Sequence, residues 1–164
     1  MLLFVKIKTV FSLGLPNLIR VLSYRFGLKY GFSSIQRLQG EVPRGTFFEK
    51  PSLFANDLKA PKSWQVRAKI FSYWVYPVGN AAPEWHANPL TGKWVFQPDR
   101  DWWRIIDFDP EVGDIKQIWE LSRFDWVIAF AQQVKTGNTR SLNQLNSWLN
   151  DWCVHNQPYK GINW

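Results

Sequence analysis

Two apolar patterns of helical period, separated by a short turn sequence, constrain the fold of this chain most strongly. The first runs from residue 114 to 135. The second places five apolar residues on one helix face, namely Leu142, Leu145, Trp148, Leu149 and Trp152. The turn sequence Thr-Gly-Asn-Thr at 136–139 provides a left-handed cap at Gly137 and the next N-cap at Asn138 or Thr139. Helices joined by so short a turn are expected to be antiparallel neighbours.

This predicted helical hairpin has apolar residues on several faces, which is more than one pair of helices can bury. The last three residues, Ile-Asn-Trp at 162–164, resemble the start of an element, because natural tails are usually polar and frayed. From these two observations we expect the chain to be incomplete and to form the front of a longer fold.

Basic residues are concentrated in the first third of the chain. Residues 1–50 contain eight basic and two acidic side chains, whereas residues 51–164 contain twelve and eleven. This asymmetry predicts an anionic partner for the first segment: a membrane surface, a nucleic acid or an acidic polysaccharide. No recognised nucleic-acid-binding module surrounds the aromatic residues, so a nucleic acid is not the expected partner.

A basic amphipathic helix is predicted within a leader of residues 1–31. Pro16 suits its first turn and Gly31 its end. Its apolar residues recur at helical spacing, at Leu15, Leu18, Ile19, Leu22 and Phe26. Two interpretations remain open: the apolar stripe packs against the rest of the fold, or the helix lies on an anionic membrane surface.

The middle of the chain shows little periodicity. Residues 32–63 resemble a linker, since prolines and glycines interrupt them. Residues 64–110 are aromatic and rich in turns, and predict an ordered loop region with one or two short strands, near 69–75 and 94–96. The chain has 11 tryptophans, which suits either the packing of bulky helices or a surface for ring stacking.

Sequence signals for export, membrane spanning and cofactors are missing. The apolar run at 2–5 is interrupted by Lys6 and Lys8, and no stretch reaches the ~18 apolar residues of a membrane span. We therefore expect a cytoplasmic protein, peripheral to a membrane if the leader binds one, rather than a periplasmic one. Cys153 is the single cysteine, which excludes a disulfide framework, and no metal site or cofactor is predicted.

Three segments, taken in order, resemble the N-terminal part of the heparinase II/III-like polysaccharide lyases. The first is Glu-Trp-His-Ala-Asn-Pro-Leu-Thr-Gly at 84–92, followed by Trp94. The second is Gly-Asp-Ile-Lys-Gln-Ile-Trp-Glu-Leu-Ser-Arg-Phe at 113–124. The third is Asp-Trp at 151–152, then Asn156, Pro158 and Gly-Ile-Asn-Trp at 161–164. The resemblance spans residues 64–164, and Leu-Ser-Tyr-Arg at 22–25 is similar to the family's lead-in.

The resemblance implies a mainly α fold: the N-terminal portion of an α/α toroid whose groove holds an acidic polysaccharide. It also implies β-elimination at a uronic acid, in which the sugar carboxylate must be neutralised before its neighbouring proton is removed. In the family an Asn-His pair and a Tyr do this work, beyond the position of Trp164. No catalytic residue is therefore assigned in this chain, and the remainder of the lyase is an expected partner.

Eight residues are candidates for binding the polysaccharide, and each also has a structural interpretation. Asn163 and Trp164 either face the groove or serve as a helix N-cap and a core aromatic. Arg123 either holds a uronate or sulfate or forms an i, i+3 ion pair with Glu120, next to Trp119. The remaining candidates lie in the loop of the first segment, where Trp85 also suits packing at the edge of the toroid; they are Trp85, His86 and Asn88.

Three functions follow from these patterns. The leading one is the N-terminal segment of a heparinase II/III-like lyase that binds a uronate-containing polysaccharide. The second is a non-catalytic glycan-binding or accessory module for surface-polysaccharide biosynthesis. The third is a peripheral membrane protein attached through residues 1–31.

Overall fold

Helices and two small antiparallel sheets form the regular structure of the described residues. The computed structural model describes residues 12, 14–55, 57, 59–95 and 99–164. The apolar run at 2–5 and the end of the strand predicted at 94–96 lie outside these residues. The chain divides into two compact units, Met1–Gln39 and Gly40–Trp164. In the described part, no helix combines the length and hydropathy needed to cross a bilayer.

The first unit contains the predicted amphipathic helix, α1 (Leu15–Tyr30). Pro16 lies in its first turn, and Gly31 ends it with a φ of 76°, donating its backbone N–H to Gly27 O. The predicted start and end of this helix are therefore confirmed. Its apolar stripe is exposed, since Leu15, Ile19, Leu22 and Phe26 are each more than half accessible to solvent.

The second unit contains four short strands and three helices among its described residues. In chain order they are β1 (Arg67–Ile70), β2 (Trp74–Pro77), β3 (Phe108–Asp109), β4 (Gly113–Asp114), α2 (Lys116–Trp119), α3 (Asp125–Lys135) and α4 (Thr139–His155). β1 pairs with β2, and β3 pairs with β4. The strands are thus more numerous than the one or two that the sequence predicts, and the chain is a mixed helix-and-strand protein.

The predicted helical hairpin is formed by α3 and α4. Gly137 between them has a φ of 97°, and the Asn138 side chain accepts a hydrogen bond from the backbone N–H of Ser141. Both predicted caps are confirmed. Near the turn, Ser141 of α4 donates a hydrogen bond to Gln133 of α3. Farther from the turn, Trp148 packs on Phe130, so a later residue of α4 contacts an earlier residue of α3. The two helices are therefore antiparallel.

The prediction of one continuous helix over residues 114–135 is wrong. Asp114 belongs to β4, residues 116–123 form a short helix and a 3-10 turn, and α3 begins only after Phe124, whose φ is 63°. Tertiary contacts stabilise this break. The buried Trp126 indole donates to Leu121 O, and the Phe124 ring packs against Trp126 and Trp152 with centroid distances of 5.6 and 4.9 Å.

An aromatic core lies between the β1–β2 hairpin and the two long helices. Trp148 is at its centre, with ring centroids 6.3 Å from Trp64, 6.5 Å from Trp85 and 5.6 Å from Trp126. Each of these rings is almost fully buried. Edge-to-face pairs of this kind contribute about 0.5–1.5 kcal/mol each beyond the area they bury. Several of the tryptophans are therefore used for packing.

Part of the segment predicted to be a linker packs on the hairpin. The Asn146 side chain on α4 accepts hydrogen bonds from the backbone N–H groups of Phe47 and Phe48 and donates one to Phe48 O. Farther along, Ala55 N donates to Lys135 O at the end of α3. These bonds fix the path of the chain before β1.

Candidate functional site

The end of α4 carries a buried polar group that the sequence candidates surround. Asn156 follows the last residue of α4, and its Nδ2 donates to Trp152 O one turn earlier at 2.8 Å. Its Oδ1 accepts from His86 Nε2 at 3.1 Å and from Asn163 Nδ2 at 2.8 Å. We call these three residues, His86, Asn156 and Asn163, the Asn156 network. Through His86, it links the first of the three segments that carry the family resemblance to the third, which contains Asn156 and Asn163.

His86 acts in this network as a neutral hydrogen-bond donor. Because Asn156 Nδ2 is used on Trp152 O, its Oδ1 must be the acceptor, and the proton of the contact lies on His86 Nε2. Burial lowers the pKa of His86, an effect that the hydrogen bond to Asn156 partly opposes. A buried imidazole with a lowered pKa is neutral at pH 7.

Asn163 is held on one side and unsatisfied on the other. Its Nδ2 donates to Asn156 Oδ1 and to Trp85 O, the latter at 3.1 Å. Its Oδ1 is buried and has no hydrogen-bond partner among the described residues. A buried acceptor without a donor costs about 1–3 kcal/mol. Asn163 therefore keeps one buried acceptor without a partner among the described residues.

The indole N–H groups of Trp119 and Trp164 both donate hydrogen bonds to backbone carbonyls within residues 156–162. Trp164 donates to Asn156 O at 3.3 Å, and Trp119 donates to Ile162 O. Trp164 remains 43% exposed and Trp119 38% exposed. The Trp164 ring is supported from within by Trp152 and Tyr159, at centroid distances of 6.1 and 5.6 Å. Both rings thus combine a fixed orientation with an accessible surface.

Glu120 and Arg123 form the predicted ion pair. Arg123 Nη1 lies 3.0 Å from Glu120 Oε2, and the other carboxylate oxygen accepts the backbone N–H of Phe71 at 2.7 Å. The hydrogen bond to Glu120 raises the pKa of Arg123. Glu120 is buried and linked to the β1–β2 turn, whereas the Arg123 side chain is 64% exposed. Arg123 therefore has surface left for an anion, and Glu120 is used within the fold.

Trp85 and Asn88 are buried, and their polar groups are occupied within the fold. The Trp85 indole donates to Asp151 Oδ2 at 2.7 Å. Asn88 Nδ2 donates to Val112 O and Gln117 Oε1, while its Oδ1 accepts from Leu90 N. Asn88 thereby fixes the loop on which His86 lies, without belonging to the Asn156 network.

The structure brings five of the eight candidates together around residues 156–163. They are Trp85, His86, Trp119, Asn163 and Trp164. Sequence reasoning placed Asn156 in a motif but did not select it as a site residue. The available signal was an asparagine directly after the predicted helix and two positions before Pro158.

Metal ligands and similarities to known proteins give no further guidance to the site. Within the described residues, no group of three or more His, Cys, Asp or Glu side chains is arranged to hold a metal ion. Comparison of the chain with protein-family models, with curated proteins and with solved structures finds no match.

Proposed function

We propose that this chain binds an acidic, uronate-containing polysaccharide, as the N-terminal segment of a heparinase II/III-like lyase. One observation carries the proposal: the rings of Trp119 and Trp164 are anchored to the backbone carbonyls of Ile162 and Asn156, with part of each ring exposed. Sugar rings stack their C–H faces on such indoles.

The antiparallel pair α3 and α4 supports the toroid part of the proposal. An α/α toroid is built from such pairs, and each pair must bury the faces it leaves uncovered against the next. Val154 on α4 is more than half exposed in the described structure. We propose that further helices, supplied by the remainder of the lyase, pack against this hairpin.

We propose binding by this chain and no turnover. β-Elimination needs a base, a proton donor and a group that neutralises the carboxylate, and all three must reach the substrate. His86 and Asn156 form an imidazole–carboxamide pair, but both side chains are buried and hold each other. We assign them to positioning the segment that carries Asn163 and Trp164.

Affinity electrophoresis in gels containing heparin, alginate or polygalacturonate tests the proposal. We expect retardation of the full chain in at least one of these gels and none in a gel containing dextran. Trp164→Ala should lose most of the retardation. The matched control is Trp74→Ala, which removes an indole of similar exposure from β2. Equal loss in both variants, or no retardation of the unmodified chain in any acidic gel, would contradict the proposal.

A non-catalytic accessory module in polysaccharide biosynthesis is the alternative that shares this binding site. It predicts the same retardation. The two differ when the chain is combined with a C-terminal partner segment of the lyase family. Only the lyase proposal expects unsaturated uronate products from the combination.

The exposed stripe of α1 favours a second function, attachment to an anionic membrane. Residues 12 and 14–40 include Arg20, Arg25, Lys29 and Arg37 and no acidic residue. A cationic helix with an exposed apolar stripe is suited to the interface of an anionic bilayer. We propose that α1 lies in that interface with Leu22 and Phe26 directed toward the acyl chains.

Vesicle flotation tests this second function. The full chain should float with vesicles of phosphatidylserine and phosphatidylcholine and remain unbound with phosphatidylcholine alone. The double variant L22S/F26S should lose flotation, whereas V66S, which changes an exposed apolar residue of the other unit, should keep it. Flotation that survives L22S/F26S would contradict attachment through the stripe. Flotation independent of lipid charge would contradict the anionic interface.

A further inference from the structure

A cavity with an excess of positive charge lies between β1 and α3. Its volume is about 650 Å³, a size typical of small-molecule sites. Its lining shares no residue with the Asn156 network. Trp64, Val75 and Ile128 give it an apolar part, and three cations lie around that part: Lys62, Arg67 and Lys69.

Two of the cations lie on the strand β1, and the helix α3 forms one wall of the cavity. Arg67 and Lys69 alternate along β1 with the buried Ala68 and Ile70, so both project from the side of the strand that faces away from the core. The wall from α3 consists of residues at helical spacing, including Asp125, Ile128 and Gln132. These positions are fixed by the strand and helix backbones.

Lys62 is fixed through its neighbours. Gln133, a buried residue of α3, donates through Nε2 to Pro61 O at 3.1 Å and to Ser63 O at 2.9 Å. Its Oε1 accepts from Ser141 Oγ. The two carbonyls on either side of Lys62 are therefore tied to the helical hairpin, and its ammonium group takes no part in these bonds.

The backbone at Trp64 provides a further observation. Trp64 has a φ of 64°, in the left-handed region that bulky residues rarely adopt. Its backbone N–H donates to Arg67 O, and its ring packs edge-on against Trp148. The fold thus holds an unusual backbone conformation at a residue of the cavity lining. Strain of this kind is concentrated at functional sites.

The charges in the cavity are not balanced by the protein. Among the described residues that line it, Asp125 is the one carboxylate, against three cations. None of Lys62, Arg67 and Lys69 takes part in an ion pair within the described part of the chain. An anion is therefore the favoured occupant, and the apolar part of the lining suits one that also has a hydrophobic face.

We propose that this cavity binds a uronate residue, with its carboxylate on Arg67 and Lys69 and its ring on the apolar lining. A guanidinium matches a carboxylate through two parallel hydrogen bonds, and the ring C–H groups of a sugar pack on Val75 and Ile128. The inference rests on the proposed function and extends it: an acidic polysaccharide contacts this cavity in addition to Trp119 and Trp164.

Backbone ¹H–¹⁵N spectra of the full chain, titrated with glucuronate, glucose or sulfate, test the inference. We expect saturable shifts at the amides of residues 67–69 with glucuronate and no such shifts with glucose. The double variant R67Q/K69Q should weaken glucuronate binding by about tenfold or more, since each of its two substitutions removes a charge-assisted hydrogen bond. The control K50Q removes one positive charge outside the cavity and should leave binding unchanged.

The possible outcomes separate this inference from the proposed function. Shifts of equal affinity with sulfate would overturn the uronate assignment in favour of a general anion site. Absence of glucuronate shifts at residues 67–69, with polysaccharide retardation intact and sensitive to Trp164→Ala, would overturn the inference and leave the proposed function standing. The wild-type titration maps the site without a variant, so a folding defect in R67Q/K69Q does not prevent the decision.

Discussion

His86 Nε2 donates a hydrogen bond to Asn156 Oδ1 across 3.1 Å, and both side chains are buried. The bond connects the aromatic loop to the end of α4, and Asn163 reaches the same oxygen from the last residues of the chain. One carboxamide therefore fixes the relative positions of the loop, the helix end and the backbone on which Trp164 is carried.

Replacing Asn156 by alanine should destabilise the chain by about 2–4 kcal/mol, because two buried donors, on His86 and Asn163, lose their acceptor. The free energy of unfolding in urea measures this. Gln157→Ala changes the neighbouring exposed amide and should stay within about 0.5 kcal/mol of the unmodified chain. A loss for Asn156→Ala no larger than that of the control would contradict the role assigned to the network.

Stability should fall as the pH is lowered below about 7, because the pKa of His86 is lower in the folded chain than its ordinary value of 6.5. In that window the unfolded chain binds a proton before the folded chain does, which favours unfolding. The dependence ends once the pH is below the lowered pKa. His86→Gln keeps an N–H donor for Asn156 without a titrating group and should flatten the dependence.

Urea unfolding at about pH 7.5 and at about pH 5.5 measures this slope. His155→Gln, which removes the exposed histidine, is the control and should retain it. An unchanged slope in His86→Gln would show that other groups cause the pH dependence.

The buried Trp85 indole depends on Asp151 for its hydrogen bond of 2.7 Å. Asp151→Ala should lower the free energy of unfolding by about 1–3 kcal/mol, because it leaves this N–H group without an acceptor. Asp151→Asn retains an oxygen at the same position and should lose distinctly less. Thermal unfolding of both variants compares them. Equal losses would mean that the carboxylate charge, rather than the acceptor, is what stabilises the fold.

Gly137 allows the tight turn between α3 and α4 through its φ of 97°. A methyl group added there would meet no atom within 4 Å, so Gly137→Ala should cost only the backbone strain, about 1 kcal/mol. Gly79→Ala adds a methyl group in ordinary contact, without a positive φ, and should be nearly neutral. Urea midpoints measured in parallel test the pair, and a neutral Gly137→Ala would contradict the turn geometry.

Local sequence signals predicted α1 and the α3–α4 turn, because their caps are set by neighbouring residues. Pro16, Gly31, Gly137 and Asn138 act through backbone geometry within one turn of the chain. The same reasoning predicted a helix through Phe124. It failed there because the left-handed residue is stabilised by Trp152, on another helix, which periodicity cannot show.

The β1–β2 turn could not be read from the sequence for a similar reason. Phe71 and Ser72 both have positive φ, where glycine or asparagine is usual. The Phe71 N–H donates to the Glu120 carboxylate, far along the chain, which holds the turn in place. Among the candidate site residues, Trp119, Asn163 and Trp164 were selected from motifs, whereas the central place of Asn156 and the cavity between β1 and α3 required the tertiary arrangement.

Isothermal titration calorimetry of the full chain with polygalacturonate, and with the same polymer after reduction of its carboxyl groups, tests the central claim most directly. The proposal predicts saturable binding of the acidic polymer that is lost on reduction and that weakens with salt. Heparin and alginate, run alongside, cover other uronate linkages. Binding of the reduced polymer with equal affinity, or no binding of any of the three acidic polymers, would contradict the claim that this chain recognises uronate-containing polysaccharides.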